Sequence, residues 1–298
     1  MAAPKPAITP GGPLATALVS LVVGLVRLLP RKVREALARA LGSAVYTLGV
    51  RRRVALDNLA HAFPEKSDAE RRAIARAAYR HLAQAAVEAV TSDLIPDAEL
   101  KQAYAVLDWK GLDQRLGREG VMVVSAHFGS WELFAEVMGR GVIPFSAVVR
   151  PLAGAFNAHV VKLRQRSGVE LILQRGALRG MLTALERKRP VVQLLDQSVP
   201  AKQGVFVPFF GRPASTSPAS AAAALRAGVP IYVVLAARED DRLVMEVEGP
   251  ITREPSGDFR ADVQALTAEV TAVLEQHIRK RPEQWLWLHR RWKEKPIA

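Results

Sequence analysis

Residues 121–134, VMVVSAHFGSWELF, decide the reading of this chain. Val121, Met122, Val123 and Val124 form a short apolar run of the kind that becomes a buried strand. Gly129 and Ser130 then break the run, and a helix-like stretch begins at Trp131. A strand that turns directly into a helix is the unit of a parallel α/β sheet. The turn carries two polar residues, His127 and Glu132. Five positions on a continuous helix are about 140° apart, so the two would not share a helix face. They can meet only if His127 sits in the turn and Glu132 reaches back from the first helical turn. There the helix dipole also favours a glutamate for structural reasons alone.

The same texture continues downstream. Apolar runs at 121–125, 145–149, 169–173, 190–195 and 230–236 read as strands, and 131–139, 156–166, 177–188, 217–227 and 258–280 read as helices. The alternation predicts an α/β fold, a mostly parallel central sheet flanked by helices. Upstream, Ser67 with Glu70 forms a capping box, and Ile74, Ala77, Ala78, His81, Leu82 and Ala85 recur at helical spacing. A long helix over 68–91 follows. No repeat, low-complexity tract or internal linker divides the chain. The expected organisation is a tail and anchor over 1–30, with PKPAITPGGP as a mobile opening, and a catalytic domain over 31–298.

In open α/β sheets ligands bind beyond the carboxyl ends of the strands. Four successive apolar runs are followed there by His127, Arg150, Arg175 and Asp196. Strands often end in polar residues, but four ends in succession point to a shared crevice. A carboxylate on one imidazole nitrogen would fix the tautomer and leave the other nitrogen to take a proton from a hydroxyl. No Gly-x-Ser-x-Gly is present, and the chain has no cysteine, so a serine or thiol acyl-enzyme is not supported. The sequence also lacks His-Glu-x-x-His, a phosphate-binding P-loop and Gly-x-Gly-x-x-Gly, so neither a metal nor a nucleotide cofactor is expected. The histidine is therefore expected to act on a substrate hydroxyl directly.

The 298 residues are 49% hydrophobic, ample for a core, and carry a formal net charge of +13. Such a charge calls for an anionic partner. With aromatics at 6% and no nucleic-acid motif, nucleic acid is not that partner. Between Pro13 and Pro30 lies LATALVSLVVGLVRLL, which as a helix reaches roughly 24 Å against the ~30 Å of a bilayer core. It would span only with a snorkelling Arg27 or lie in the interface; packing on the core is the third option. No cleavage site follows it. Arg31, Lys32, Arg34 and Arg39 come after it and only Lys5 before, which places the body of the chain on the cytoplasmic side. WLWLHRRWK, 285–293, mixes tryptophan with cations as an interfacial belt does. GVFVPFFG, 204–211, could line an acyl groove or lie in the core.

SAHFGSWE resembles the H-x-x-x-x-D/E signature of the lysophospholipid acyltransferase superfamily, and more closely the bacterial lipid A biosynthesis acyltransferases. Five further segments carry the resemblance in the family's order: residues 56–82, VVRP at 148, 175–197, 204–217, and PEQWLWLHRRWK at 282. It implies a membrane-associated enzyme at the inner membrane with its site facing the cytoplasm. The enzyme would move an acyl chain from acyl carrier protein or acyl-CoA to a hydroxyl of a lipid A precursor. His127 would be the general base and Glu132 its orienting carboxylate. Arg150 would meet the oxyanion or a phosphate, Arg175 a phosphate or the carrier, and Asp196 would position substrate. Ser130 stands where the family often has Asn, and Gln197 and Ser198 follow Asp196 where it often has a second acid, which leaves the acceptor open. Another glycolipid, phospholipid or aminolipid is one alternative, and a non-catalytic basic membrane-binding protein is the other.

Overall fold

The computed structural model describes residues 12–100, 104–150, 154–239 and 242–296, so most of the expected tail lies outside the described residues. Two helices open it, α1 (Pro13–Leu28) and α2 (Arg31–Thr47). Proline suits the first turn of α1, where the amide has no helical partner. Then come α3 (Arg52–Ala62) and α4 (Asp68–Glu88). The capping box at the start of α4 is formed: Ser67 Oγ accepts from the Glu70 amide, and the Glu70 carboxylate accepts from the Ser67 amide at 2.7 Å. α4 packs closely on α2, because Gly42 has no side chain. A Cβ there would stand 2.5 Å from the Tyr79 carbonyl oxygen.

The α/β part follows in the order α5 (Asp97–Leu100), β1 (Tyr104–Val106), α6 (Leu112–Arg115), β2 (Met122–Ser125) and α7 (Trp131–Glu136). α7 runs on into a π-helical turn, Val137–Val142. Next come β3 (Ser146–Val149), α8 (Ala155–Arg166), β4 (Glu170–Leu173), α9 (Ala177–Glu186) and β5 (Val191–Leu194). A hairpin of β6 (Val205–Phe209) and β7 (Arg212–Thr216) precedes α10 (Ala219–Ala227), β8 (Ile231–Glu239), β9 (Arg242–Ile251) and α11 (Phe259–Lys280). The seven-stranded sheet has the order β1-β9-β8-β2-β5-β3-β4. Only the β8–β9 pair is antiparallel. The expected parallel sheet flanked by helices is therefore present, and β1, β9 and the β6–β7 hairpin are additions to it.

The apolar run of β2 is continuous because both of its faces are covered. Met122 and Val124 pack in one core with α9, α10 and α11, while Val121 and Val123 pack in a second core with α7. The chain leaving β2 thus passes to one face, and the chain leaving β5, its neighbour, passes to the other through α10. This divergence between adjacent parallel strands opens a crevice at their carboxyl ends.

At the N-terminus the structure bears on one of the three expected options, the crossing with a snorkelling arginine, and at the C-terminus it overturns the interfacial belt. Arg27 does not point along α1 toward a head-group region; it donates to both Asp93 oxygens at 2.6 and 3.0 Å and to the Val90 carbonyl at 2.7 Å. No helix among the described residues is long and apolar enough to cross a membrane. The tryptophans of WLWLHRRWK are not a surface belt either. Trp285 and Trp287 are buried, and they meet Phe209, Phe210 and Phe63 in one aromatic cluster. GVFVPFFG is accordingly core, with Val207, Phe209 and Phe210 buried. Trp287→Ala should destabilise the fold by about 4 kcal/mol in urea denaturation, whereas exposed Arg290→Ala should leave the midpoint nearly unchanged.

Candidate active site

The turn after β2 is fixed by backbone bonds on both sides. Gly129 N–H donates to the Gln284 carbonyl and Ser130 N–H to the Ala236 carbonyl, each at 2.9 Å. Gly129 has φ +56°, and a Cβ on it would stand 1.7 Å from the Ala236 oxygen. Only glycine fits there. The residue two before it, His127, is thereby held at the carboxyl edge with its side chain 22% exposed.

The carboxylate on His127 is that of Asp196. His127 Nδ1 lies 2.9 Å from Asp196 Oδ1, and Asp196 Oδ2 accepts from Trp285 Nε1 at 2.9 Å. An ionised carboxylate can only accept, so Nδ1 carries the hydrogen, and in the neutral imidazole Nε2 keeps its lone pair. Gln197 Nε2 stands 3.3 Å from that Nε2. Burial alone would raise the Asp196 carboxyl. The bonds from His127 and Trp285, with the charge that His127 carries once protonated, outweigh it and hold the group below the usual carboxylate range.

Glu132, which the spacing paired with His127, turns instead to α8. Arg164 Nε donates to Glu132 Oε2 at 2.9 Å and Arg164 Nη2 to Oε1, while Trp131 Nε1 donates to Oε1 at 3.1 Å. The Trp131 ring in turn meets the imidazole edge-on, with centroids 5.5 Å apart. Glu132 therefore touches the histidine through Trp131. Arg150 and Arg175 are exposed, just beyond β3 and β4. Given the strand order, they stand roughly 10 and 15 Å along the edge from His127. All four strand-end residues share one edge, but only His127 and Asp196 are bonded to each other.

Residues that the spacing did not single out complete the support. Arg164 lies inside α8 with no motif around it. Trp285 reaches Asp196 because the segment after α11 folds back over the sheet, where Asn58 donates to the Trp287 and His289 carbonyls at 2.8 and 2.7 Å. His289 Nε2 accepts from the Ser198 amide at 3.0 Å, and burial lowers this imidazole to about 4. Arg291 is fully buried against Thr216 Oγ1 and the Ser215 carbonyl.

With this geometry in place, similarity to known proteins becomes informative. The sequence profile described as bacterial lipid A biosynthesis acyltransferase matches residues 13–294. The chain belongs to this family. It is 30% identical over 253 residues to the lipid A biosynthesis palmitoleoyltransferase of Escherichia coli (strain K12), covering 83% of this chain and 80% of that one. It is 27% identical over 282 residues to the lauroyltransferase of the same organism, covering 92% and 90%. With the myristoyltransferase it shares 27% over 273 residues, covering 88% and 82%. The polar edge of this sheet is thus the edge of an acyltransferase.

Two histidines, His81 buried and His289 half-buried, set an acid limit on the fold. His81 is lowered to about 4 by burial, as is His289. In the unfolded chain both titrate near 6.5, so between pH ~6.5 and ~4 the unfolded state binds protons that the native state does not. Stability should fall over that window, on the order of 6 kcal/mol for the pair. Asp196, depressed below its usual value, contributes a further loss only at still lower pH. Urea midpoints measured from pH 7 to pH 4 check the trend, and His289→Gln should flatten part of it.

Proposed function

We propose that this acyltransferase moves a fatty acyl chain from a thioester donor, acyl carrier protein or acyl-CoA, to a hydroxyl of a lipid A precursor at the cytoplasmic face of the inner membrane. The observation that carries the proposal is the His127–Asp196 pair at the carboxyl edge, with Nε2 directed away from the carboxylate. The acceptor hydroxyl displaces the Gln197 amide and gives its proton to His127 Nε2. Its oxygen attacks the thioester carbonyl, and the C–O bond forms as the carbonyl becomes an oxyanion. Asp196 stabilises the imidazolium without taking its proton. On collapse the C–S bond breaks and the imidazolium protonates the departing thiolate.

Glu132 keeps a role in this scheme, although a different one from that of a direct partner. Its pair with Arg164 fixes Trp131, which bounds the imidazole on one side. Arg150 and Arg175 offer guanidinium groups to the phosphates of donor or acceptor, which they can grip bidentately. A small apolar cavity of about 50 Å³, lined by Trp131, Phe134, Phe145, Val149 and Leu194, adjoins Glu132 and Arg164. It is the right chemistry for the start of an acyl chain.

Association with the membrane is supported by the N-terminal helices. Leu14, Leu18, Leu21, Leu25 and Leu28 are exposed along α1, as are Val33, Leu37 and Leu41 along α2. A helix of 16 residues that leaves such a stripe uncovered suits the interfacial plane better than a crossing. Surrounding arginines would each add about 1 kcal/mol on anionic lipid.

Two experiments test these readings. With a carrier-protein or CoA thioester and a lipid A precursor, His127→Ala should lower kcat by about 10³-fold or more, and Asp196→Asn by ~10²–10⁴. Glu132→Gln should cost less than Asp196→Asn. Full activity in His127→Ala would refute the general base. Separately, Leu18→Lys with Leu25→Lys should release the protein from anionic vesicles in co-sedimentation while leaving its thermal unfolding unchanged.

A further inference from the structure

Away from the crevice, between α2, α4 and β8, lies a cavity of about 100 Å³ bounded by Arg31, Arg34, Glu35, Glu88 and Arg238, among others. Three buried polar atoms on its walls have no hydrogen-bond partner: Arg34 Nη1, Glu88 Oε2 and Arg238 Nε. Each such group is costly if left bare. Three around one space ask for an occupant that accepts twice and shares one proton.

The charges narrow the choice. Arg31 pairs with Glu35 at 2.8 Å, and Arg238 pairs with Glu88. Arg34 has no carboxylate partner among the described residues. A partly buried guanidinium without a counter-ion is costly, and water brings no charge to offset it. A phosphate group brings both the charge and the proton. Its oxygens accept from Arg34 and Arg238, and one proton is shared with Glu88, whose carboxyl is raised chiefly by burial.

We propose that this cavity is a binding site for a phosphate group, supplied by a lipid head group or by free phosphate. The site is tied to the crevice, because Arg238 Nη2 also donates to Ser130 Oγ at 2.9 Å, in the turn that carries His127. It also adjoins α2, which follows the apolar stripe of α1. The proposal does not depend on acyl transfer.

Binding of the full chain in detergent, and not turnover, is the test. Inorganic phosphate is titrated against thermal unfolding and ³¹P line width. Mixed micelles then carry either a glycolipid with a phosphomonoester or its phosphatase-treated product. Wild type should bind phosphate, with affinity lowered about tenfold or more in Arg34→Gln and unchanged in Arg53→Gln, a surface control of equal charge. Arg34→Lys, which keeps the charge, should retain part of the binding and shows that position 34 tolerates change. If the phosphorylated glycolipid binds about tenfold tighter than its product, and Arg34→Gln removes the difference, the source is a lipid head group. If only inorganic phosphate binds in this Arg34-dependent way, the source is free phosphate. If Arg34→Gln and Arg53→Gln behave alike, the cavity holds water only and the proposal fails. An inactive acyl-transfer assay would alter none of these outcomes.

Discussion

A single buried carboxylate organises the polar edge of the sheet. Asp196 sits at the end of β5, its side chain only 1% exposed, with one oxygen on His127 and the other on Trp285. A carboxylate that deep stays ionised only if its hydrogen bonds and a nearby cation outweigh the loss of water. Satisfying it therefore constrains three distant segments: the turn after β2, the end of β5 and the segment after α11. The divergence of the chain after β2 and β5 creates the space, and Gly129 lets the first of these segments enter it.

The aromatic cluster is the second layer of that constraint. Trp285 can donate to Asp196 only because Trp287, Phe209 and Phe210 pack behind it, and Asn58 on α3 fixes the backbone of the same segment. Helices at the start of the chain thus support a histidine from the far side of the core. The charged residues divide between two tasks. Arg164 and Arg291 are consumed internally, on Glu132 and on the β7 backbone, whereas Arg150 and Arg175 remain exposed at the edge.

Much of the fold was legible because the relevant signals are local. Runs such as VMVV and the capping box of Ser67 and Glu70 predict a strand and a helix start without knowledge of the rest. β9 escaped because Glu246 and Glu248 interrupt its apolar pattern, and WLWLHRRWK was misread because composition does not say which side of tryptophan faces water. At the site, His127 and Asp196 were both legible as strand-end residues, but their pairing depends on β5 lying beside β2. That is a property of strand order, which lies beyond any spacing rule. Spacing instead favoured Glu132, five positions away, whose oxygens are committed to Arg164 and Trp131. The family resemblance named the chemistry and the edge, and it too assigned the orienting carboxylate to Glu132 rather than to Asp196.

The central claim is that Asp196, and not Glu132, holds the His127 Nδ1 hydrogen. ¹⁵N-detected NMR of histidine-labelled protein at neutral pH reads it directly through the tautomer of neutral His127. The structure predicts the Nδ1–H form in wild type, its retention in Glu132→Gln and its loss in Asp196→Asn. A tautomer that survives Asp196→Asn and changes in Glu132→Gln would contradict the account.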